Sequence, residues 1–587
     1  MAERAPGESA KGGWIPALAG YAALALALIG PALRHPLRLV TGHPDSDIYK
    51  HLWHHWLVRD GLTDGMVGCY RIPWLNAPDG ACLFDADLVN NLAVLPVAAL
   101  SIPLAVHLVV AGQLIAGAAA ANLLARRVTG DRQAAFAAGC AYAFSCYVLF
   151  HPIASGVHER LHLALPALGL VLALRVRDGG GWRPLALLGA VMAILALASP
   201  AYSVFLGLAL ALVVPLDLAL ASGSAAGPSR GRAAARWAAV GLVTLLAFAV
   251  SGGLTSRCVS EESRGGAGFG GAPDSLSTWP STRDPQELAG KMETLPLECF
   301  FSPAGLEACA SRDADFLYRF PYPGFLLLIL ALAGVIAGRS RRARALGAVG
   351  FLLLLISLGP VIRVHAGDPG YWIAHPTLWL ARAVPFVHRI HIWQLVLLAQ
   401  LLLGIGAAEL IAARIPGRWR GVAAAGISLL ILAEVAVAGR GALPLEVADT
   451  RVPPVYEELV VHDGQVRAPD QIVLDLPAHA ANPRIGGGRY VWYQSSHQRA
   501  VPYAINPGRF EGDPLVRFVH DGVGSTDVAA NAVDRWRTDG ASWVVLHLDH
   551  ASEDEAGRAR AALFAAGATA VDVSGDHELF ALIPRGR

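Results

Sequence analysis

The sequence predicts a polytopic α-helical membrane protein of about eleven transmembrane helices, followed by a carboxyl-terminal extracytoplasmic α/β domain. Three observations carry this. Of 587 residues, 54% are hydrophobic and only 16% charged, with a mean hydropathy of +0.45, which is a membrane-protein composition. Apolar runs of roughly 20 residues, enough to cross a bilayer, recur up to about residue 440. Beyond that point charged residues become frequent, and short β-like runs alternate with helical patterns.

The runs fall at about 14–33, 103–125, 133–150, 161–176, 184–199, 201–220, 237–256, 323–338, 345–364, 390–412 and 421–439. The segment from Leu88 to Leu100 is apolar but short, and is expected to be re-entrant or interfacial. The first run is too long for a signal-peptide core, and Pro36, Leu37 and Arg38 after it do not resemble a cleavage site, so it is expected to be retained.

Arginine sets the orientation. Arg4 and Lys11 precede the first run. Arg126, Arg127 and Arg132 follow the second, and Arg175, Arg177 and Arg183 the fourth. Arg230, Arg232 and Arg236 follow the sixth, Arg339, Arg341, Arg342 and Arg344 the eighth, and Arg414, Arg418 and Arg420 the tenth. Every second loop is short and basic, the positive-inside pattern, so the amino terminus is expected in the cytoplasm and the carboxyl terminus outside. Net charge is +1 and no basic run is interleaved with base-stacking aromatics, which argues against a nucleic-acid partner.

The domains expected are a transmembrane unit, 1–440, with long outer loops at 34–102 and 257–322, and a soluble unit, 441–587. The first outer loop opens on an amphipathic helix, Ile48 to Leu62, then turns at Pro78-Asp79-Gly80. In the soluble unit, Gln471 to Leu476, Tyr490 to Tyr493 and Ser542 to Leu548 read as strands, and 526–537 and 553–567 as helices. Gly486, Gly487 and Gly488 read as a hairpin or loop turn, and no phosphate-binding loop is present.

Seven cysteines are distributed unevenly. Cys140 and Cys146 read as small buried residues of the third run. Cys69 and Cys82, and one pair among Cys258, Cys299 and Cys309, are expected to form disulfides on the oxidising side.

The densest chemistry lies at the exit of the first run, in HPDSDIYKHLWHHW. Asp45 and Asp47, separated by Ser46, offer oxygens for a divalent cation such as Mg or Mn. Alternatively one acts as general base and the other orients the acceptor. Solvated caps on the following helix are the plainer reading. His51 and His55 stand four apart on one helix face, but no glutamate completes a zinc-binding motif, so these histidines read as interfacial neighbours, with Trp53 and Trp56 at the headgroup level. The next outer loop holds His151, His158, Glu159 and Arg160, of which His158 and Glu159 are candidate contacts to donor or acceptor. Before the tenth run, VPFVHRIHIWQ carries Arg389, suited to bidentate phosphate binding, flanked by His388 and His391. Asp475, His479 and His497 are scattered through the soluble unit without a recognisable spacing.

Taken together, these features resemble the large membrane glycosyltransferases of the GT-C fold: an acidic motif after the first span, long outer loops, an arginine-bearing loop before a late span, and a closing soluble domain. NAPDGACLF, YAFSCYVL and ASPAYSVF are similar to segments of a poorly characterised bacterial group of such proteins. The resemblance implies transfer of a sugar from a polyprenyl-phosphate donor to a lipid, glycan or protein acceptor of the envelope, at the outer face of the plasma membrane, among membrane lipids. It matches Asp47, with Asp45 second, to the catalytic acid, Arg389 to a donor-phosphate contact, and His51, His158, Glu159 and His388 to substrate binding. Many relatives carry adjacent acids where this chain has a serine between them. The competing class is a transporter or envelope-assembly protein. Transporters place ionisable groups at mid-membrane, whereas Asp217, Glu409 and Glu434 here fall near span ends.

Overall fold

The computed structural model describes residues 14–63, 69–72, 74–78, 80–84, 88–221, 230–264, 295–302, 320–359, 362–363, 391–478, 483–503 and 509–582. A helix lies over each of the eleven apolar runs. Five helical segments are long and apolar enough to cross a membrane: Ile102–Thr129, Arg132–Ala154, Ala201–Ala219, Ile392–Arg414 and Gly417–Ala438. With the shorter apolar helices around them, these are the spans of an integral membrane protein.

The helix Val396–Arg414 is the hub of the bundle. It is apolar on every face because it is buried on every face, packed against Phe325–Ala337, Arg341–Ser357, Arg132–Ala143 and Ile102–Thr129. Small residues permit the approach: a methyl group on Gly334 would lie 1.9 Å from the Gly406 carbonyl oxygen. At the periphery, Arg420–Ala438 keeps Val422, Leu429, Leu430 and Val437 exposed, the surface that a lipid contact requires.

The arginine-rich loops meet at one end. Arg127, Arg177 and Arg342 converge on Asp178, Arg177 also pairs with Asp217, and Arg420 pairs with Asp131. Glu409 accepts from the backbone amides of Arg339 and Ser340 at 2.5 and 2.7 Å. Arg236 donates to the Arg177 carbonyl at 2.9 Å, so all five basic interhelical loops lie together, as alternation along the chain requires.

At the opposite end the chain leaves the first helix, Trp14–Ile29, and forms a short strand, β1 (Leu39–Thr41). β1 pairs antiparallel with β4 (Val447–Asp449), stitching the first outer loop to the start of the carboxyl-terminal region. Between them in sequence lies the hairpin β2 (Cys69–Ile72) and β3 (Ala81–Phe84). Cys69 stands opposite Phe84, and Cys82 opposite Arg71. Cys140 and Cys146 are buried free thiols and Cys299 is disulfide-bonded, in keeping with their surroundings. Leu88 to Ala98 is a helix that packs against Ile48–Thr63 and Ile102–Thr129.

The carboxyl-terminal region is a five-stranded mixed sheet in the order β6-β5-β7-β9-β8. β5 (Ala468–Leu476) runs parallel to β6 (Arg499–Ala500) and β7 (Ala541–His547). β9 (His577–Ala581) runs antiparallel to β7 and to β8 (Thr569–Ser574). Helices Thr526–Thr538 and Glu553–Ala565 occupy the stretches read as helical, the latter opened by a capping box of Ser552 and Glu555.

Two local readings are overturned. Tyr490 to Tyr493 is helical, inside Pro483–His497, and the three glycines fall in that helix's opening turns, not in a hairpin. Tyr490, Tyr493, Gln494 and His497 recur at helical spacing and all are buried, so tertiary packing outweighs the poor helix propensity of glycine. Nor is Ile48–Thr63 an amphipathic interfacial helix. From Ile48 to Val58 every residue but Lys50 is buried, because the helix is wedged between Pro483–His497 and the bundle. Trp53 and Trp56 are core residues in place of headgroup anchors, and the Trp53 indole donates to Gln494 Oε1 at 2.9 Å.

Candidate functional site

The acidic motif is held on three sides. Its backbone is pinned by the next outer loop: His43 N–H donates to the Ala154 carbonyl at 2.8 Å and Asp47 N–H to the Ser155 carbonyl at 3.3 Å. The Ser46 hydroxyl donates to the His43 carbonyl, and Asp45 N–H to His43 Nδ1. Asp47 then precedes the first turn of the buried helix, its carbonyl accepting from His51 N–H. Its carboxylate lies 4.0 Å from Lys50 Nζ.

His51 and Glu159 meet across these loops, Nε2 to Oε2 at 2.7 Å, with side-chain exposures of only 2% and 16%. Burial works to raise the Glu159 carboxyl, but His51, Lys50 and Arg160 outweigh it and hold it well below the usual carboxylate range. Glu159 is therefore a fixed anion, better suited to orienting His51 than to taking a proton. The His158 ring lies tilted against that of His51, centroids 5.2 Å apart, and its carbonyl accepts from the Asn90 amide.

The loop carrying these residues leaves the third span through a π-helical turn, Leu149–Ala154, a distortion frequent at functional sites. It turns His151 toward the start of the late span, where Gln394 Nε2 lies 3.2 Å from His151 Nε2 and Trp393 meets its ring edge-on at 4.7 Å. Arg160 continues the network to Ser199, between the fifth and sixth spans, at 3.2 Å. The four segments that carry Asp47, Glu159, Ser199 and Gln394 thus close on one another at one end of the bundle. Arg389 and His388 lie outside the described residues, as does His479.

Sequence reasoning missed the contribution of the carboxyl-terminal sheet region. Arg489 reaches Asp45 Oδ1 at 3.5 Å, stacks over the Tyr49 ring at 5.2 Å, and has its other amino group 2.9 Å from His550 Nε2. Beyond His550 stand Asp549, His577, His547 and Asp475. His547 Nε2 lies 3.1 Å from Asp475 Oδ1, and Tyr456 and Tyr503 hydroxyls also hydrogen-bond Asp475 through its carboxylate and backbone. Burial pushes the Asp475 carboxyl up to about 7. A run of tyrosines and histidines at the carboxyl ends of predicted strands was the available signal.

As for a divalent cation on the acidic motif, Asp45 and Asp47 face Arg489 and Lys50. Each of these carboxylates thus has a cationic side chain beside it, at 3.5 and 4.0 Å.

The fold is similar to that of GT-C membrane glycosyltransferases, at low sequence identity. A mycobacterial arabinofuranosyltransferase AftD variant superposes with a TM-score of 0.55 at 17% identity, over 96% of this chain and 41% of that one. The apo oligosaccharyltransferase of Archaeoglobus fulgidus superposes with a TM-score of 0.51 at 12% identity, over 92% of this chain and 70% of that one. No family model and no curated protein sequence matches the chain.

Proposed function

We propose that the protein is a membrane glycosyltransferase that moves a sugar from a polyprenyl-phosphate-linked donor to an envelope acceptor at the outer face of the plasma membrane. The observation that carries this reading is the convergence of the HPDSD segment with the Glu159 loop and the base of the late span, at one end of a GT-C-like bundle. Both matched structures bear names of glycosyl-transferring enzymes, which favours the reading over transport.

The proposed topology has eleven spans, a cytoplasmic amino terminus, and residues 441–587 as an extracytoplasmic domain. The clustering of the basic loops at the other end supports it. In the proposed reaction Asp47 takes the proton of the acceptor hydroxyl, whose oxygen forms the new bond to the sugar's anomeric carbon. The bond from that carbon to the donor phosphate oxygen breaks, and polyprenyl phosphate leaves with the electron pair, its charge balanced by Arg389. Gln394, five residues after Arg389 in sequence, touches the Glu159 loop through His151. Asp45 is the second acid, positioned by Arg489, and His51, Glu159, His158 and His388 contact donor or acceptor.

The test is release of polyprenyl phosphate by the purified protein. Asp47→Asn is expected to reduce turnover by about 10²- to 10⁴-fold and Arg389→Ala by about 10²- to 10³-fold. Turnover of Asp47→Asn equal to the wild type would remove Asp47 as the base. Absence of release by wild type across polyprenyl-phosphate pentose and hexose donors would remove the transferase reading.

A further inference from the structure

The carboxyl-terminal sheet brings together two histidines that the transferase reading does not use. β7 ends at His547 and β9 begins at His577, and antiparallel pairing sets them directly opposite each other. Their rings meet edge to face at 4.9 Å. Asp549, two residues past the end of β7, turns its carboxylate back to 3.7 Å from His577 Nε2. One ligand atom from each of His547, Asp549 and His577 lies within 4.8 Å of the others.

Hydrogen bonding singles out which atoms are available. His547 is fully buried, and its Nε2 is engaged by Asp475 and by the Tyr456 hydroxyl. Its Nδ1, equally buried, has no hydrogen-bond partner among the described residues, and neither has the buried Nε2 of His577. A buried imidazole nitrogen left unpaired is costly unless something meets it. The carboxylate on the far nitrogen of His547 is the arrangement that orients and strengthens a metal-ligating histidine.

We propose that His547 Nδ1, His577 Nε2 and an Asp549 carboxylate oxygen bind one transition-metal ion of the zinc type, with a fourth position open to solvent. Two imidazoles and one carboxylate suit zinc, and disfavour Mg²⁺ and Ca²⁺, which take oxygen ligands. Bonds of about 2.0–2.1 Å place tetrahedral ligand atoms about 3.3 Å apart. His577 Nε2 and Asp549 Oδ1 already stand 3.7 Å apart, and ligand atoms of the three residues lie within 4.8 Å of one another, so the closure needed is at most about 1.5 Å. The ion would lock the turn that follows β7 and carries His550, and with it the Arg489 contact to Asp45. The site is independent of the transferase reading.

Cobalt(II) is the probe, added alone to tag-free, full-length protein in detergent after chelator treatment. One equivalent per chain is expected to give the visible absorption of a four-coordinate ion, and zinc to displace it. His577→Ala and Asp549→Ala, both at partly exposed positions, are expected to weaken binding by at least about 100-fold, and Asp475→Asn by about 10- to 100-fold. Asp131→Asn, at the basic-loop end of the bundle, is expected to leave the spectrum unchanged. Cobalt binding of equal strength in wild type, His577→Ala and Asp549→Ala overturns the proposal, as does a wild type that shows no four-coordinate spectrum.

Discussion

Arg489, in a helix of the carboxyl-terminal region, stands 3.5 Å from Asp45 of the amino-terminal motif, although more than four hundred residues separate them in sequence. The contact is reinforced by the Tyr49 ring beneath the guanidinium and by His550 beside it. The acidic motif is therefore not a free loop at a membrane surface. One of its carboxylates is held by the carboxyl-terminal region.

Arg489→Ala is expected to lower stability by about 1–3 kcal/mol, since it removes a largely buried charge-assisted contact. Arg489→Lys keeps the charge but loses the planar stacking and is expected to recover only part. Thermal unfolding of Arg489→Ala, Asp45→Asn and the double variant checks this: coupling between the sites makes the double variant's loss smaller than the sum of the singles.

Glu159 supplies a pH dependence of defined sign. Its folded carboxyl sits below the ordinary value of 4.5, so the native state gains where the group is ionised. That contribution is fully present above about pH 4.5 and is lost as pH falls through the lower, folded value. Glu159→Gln is expected to be less stable than wild type by about 1–3 kcal/mol at neutral pH, with the difference shrinking below pH about 4.5. Melting curves of both proteins from pH 7 to 3 provide the measurement, and a difference that grows on acidification would contradict it.

Gln494 ties the buried helix to the sheet region. Its side chain accepts from the Trp53 indole and donates to the carbonyls of Trp74 and Arg499. Gln494→Leu leaves these buried groups without that partner and is expected to cost about 2–5 kcal/mol. Tryptophan fluorescence during denaturation reads it out as an earlier, broader transition.

Close helix packing in the bundle predicts a contrast between glycines. Gly334→Ala drives a methyl group into the Gly406 backbone and is expected to destabilise by about 1–3 kcal/mol or more, while Gly426→Ala, with open space beside it, is expected to change little. Retention of monodisperse protein after brief heating in detergent separates the two.

The legible part of the molecule was whatever a short window of sequence encodes. Apolar runs located the helix over each expected span, and Gln471 to Leu476 and Ser542 to Leu548 read correctly as strands. Tyr490 to Tyr493 misled because aromatic residues favour strands in isolation, while a helix buried on one face uses the same residues to pack. Trp53 and Trp56 misled for a similar reason: tryptophan near a span end signals the interface unless another domain covers it.

The site divides along the same line. By itself the sequence determined the membrane class, the alternation of basic loops, and the grouping of Asp45, Asp47 and His51 within a few residues, because hydropathy, charge and helical spacing are local properties. Only the tertiary structure decided that Glu159 pairs with His51, that Arg489 reaches Asp45, and that His547 faces His577. Those contacts join distant parts of the chain, and they form because packing the bundle and the sheet region buries enough apolar surface to offset the entropy of closing such long loops.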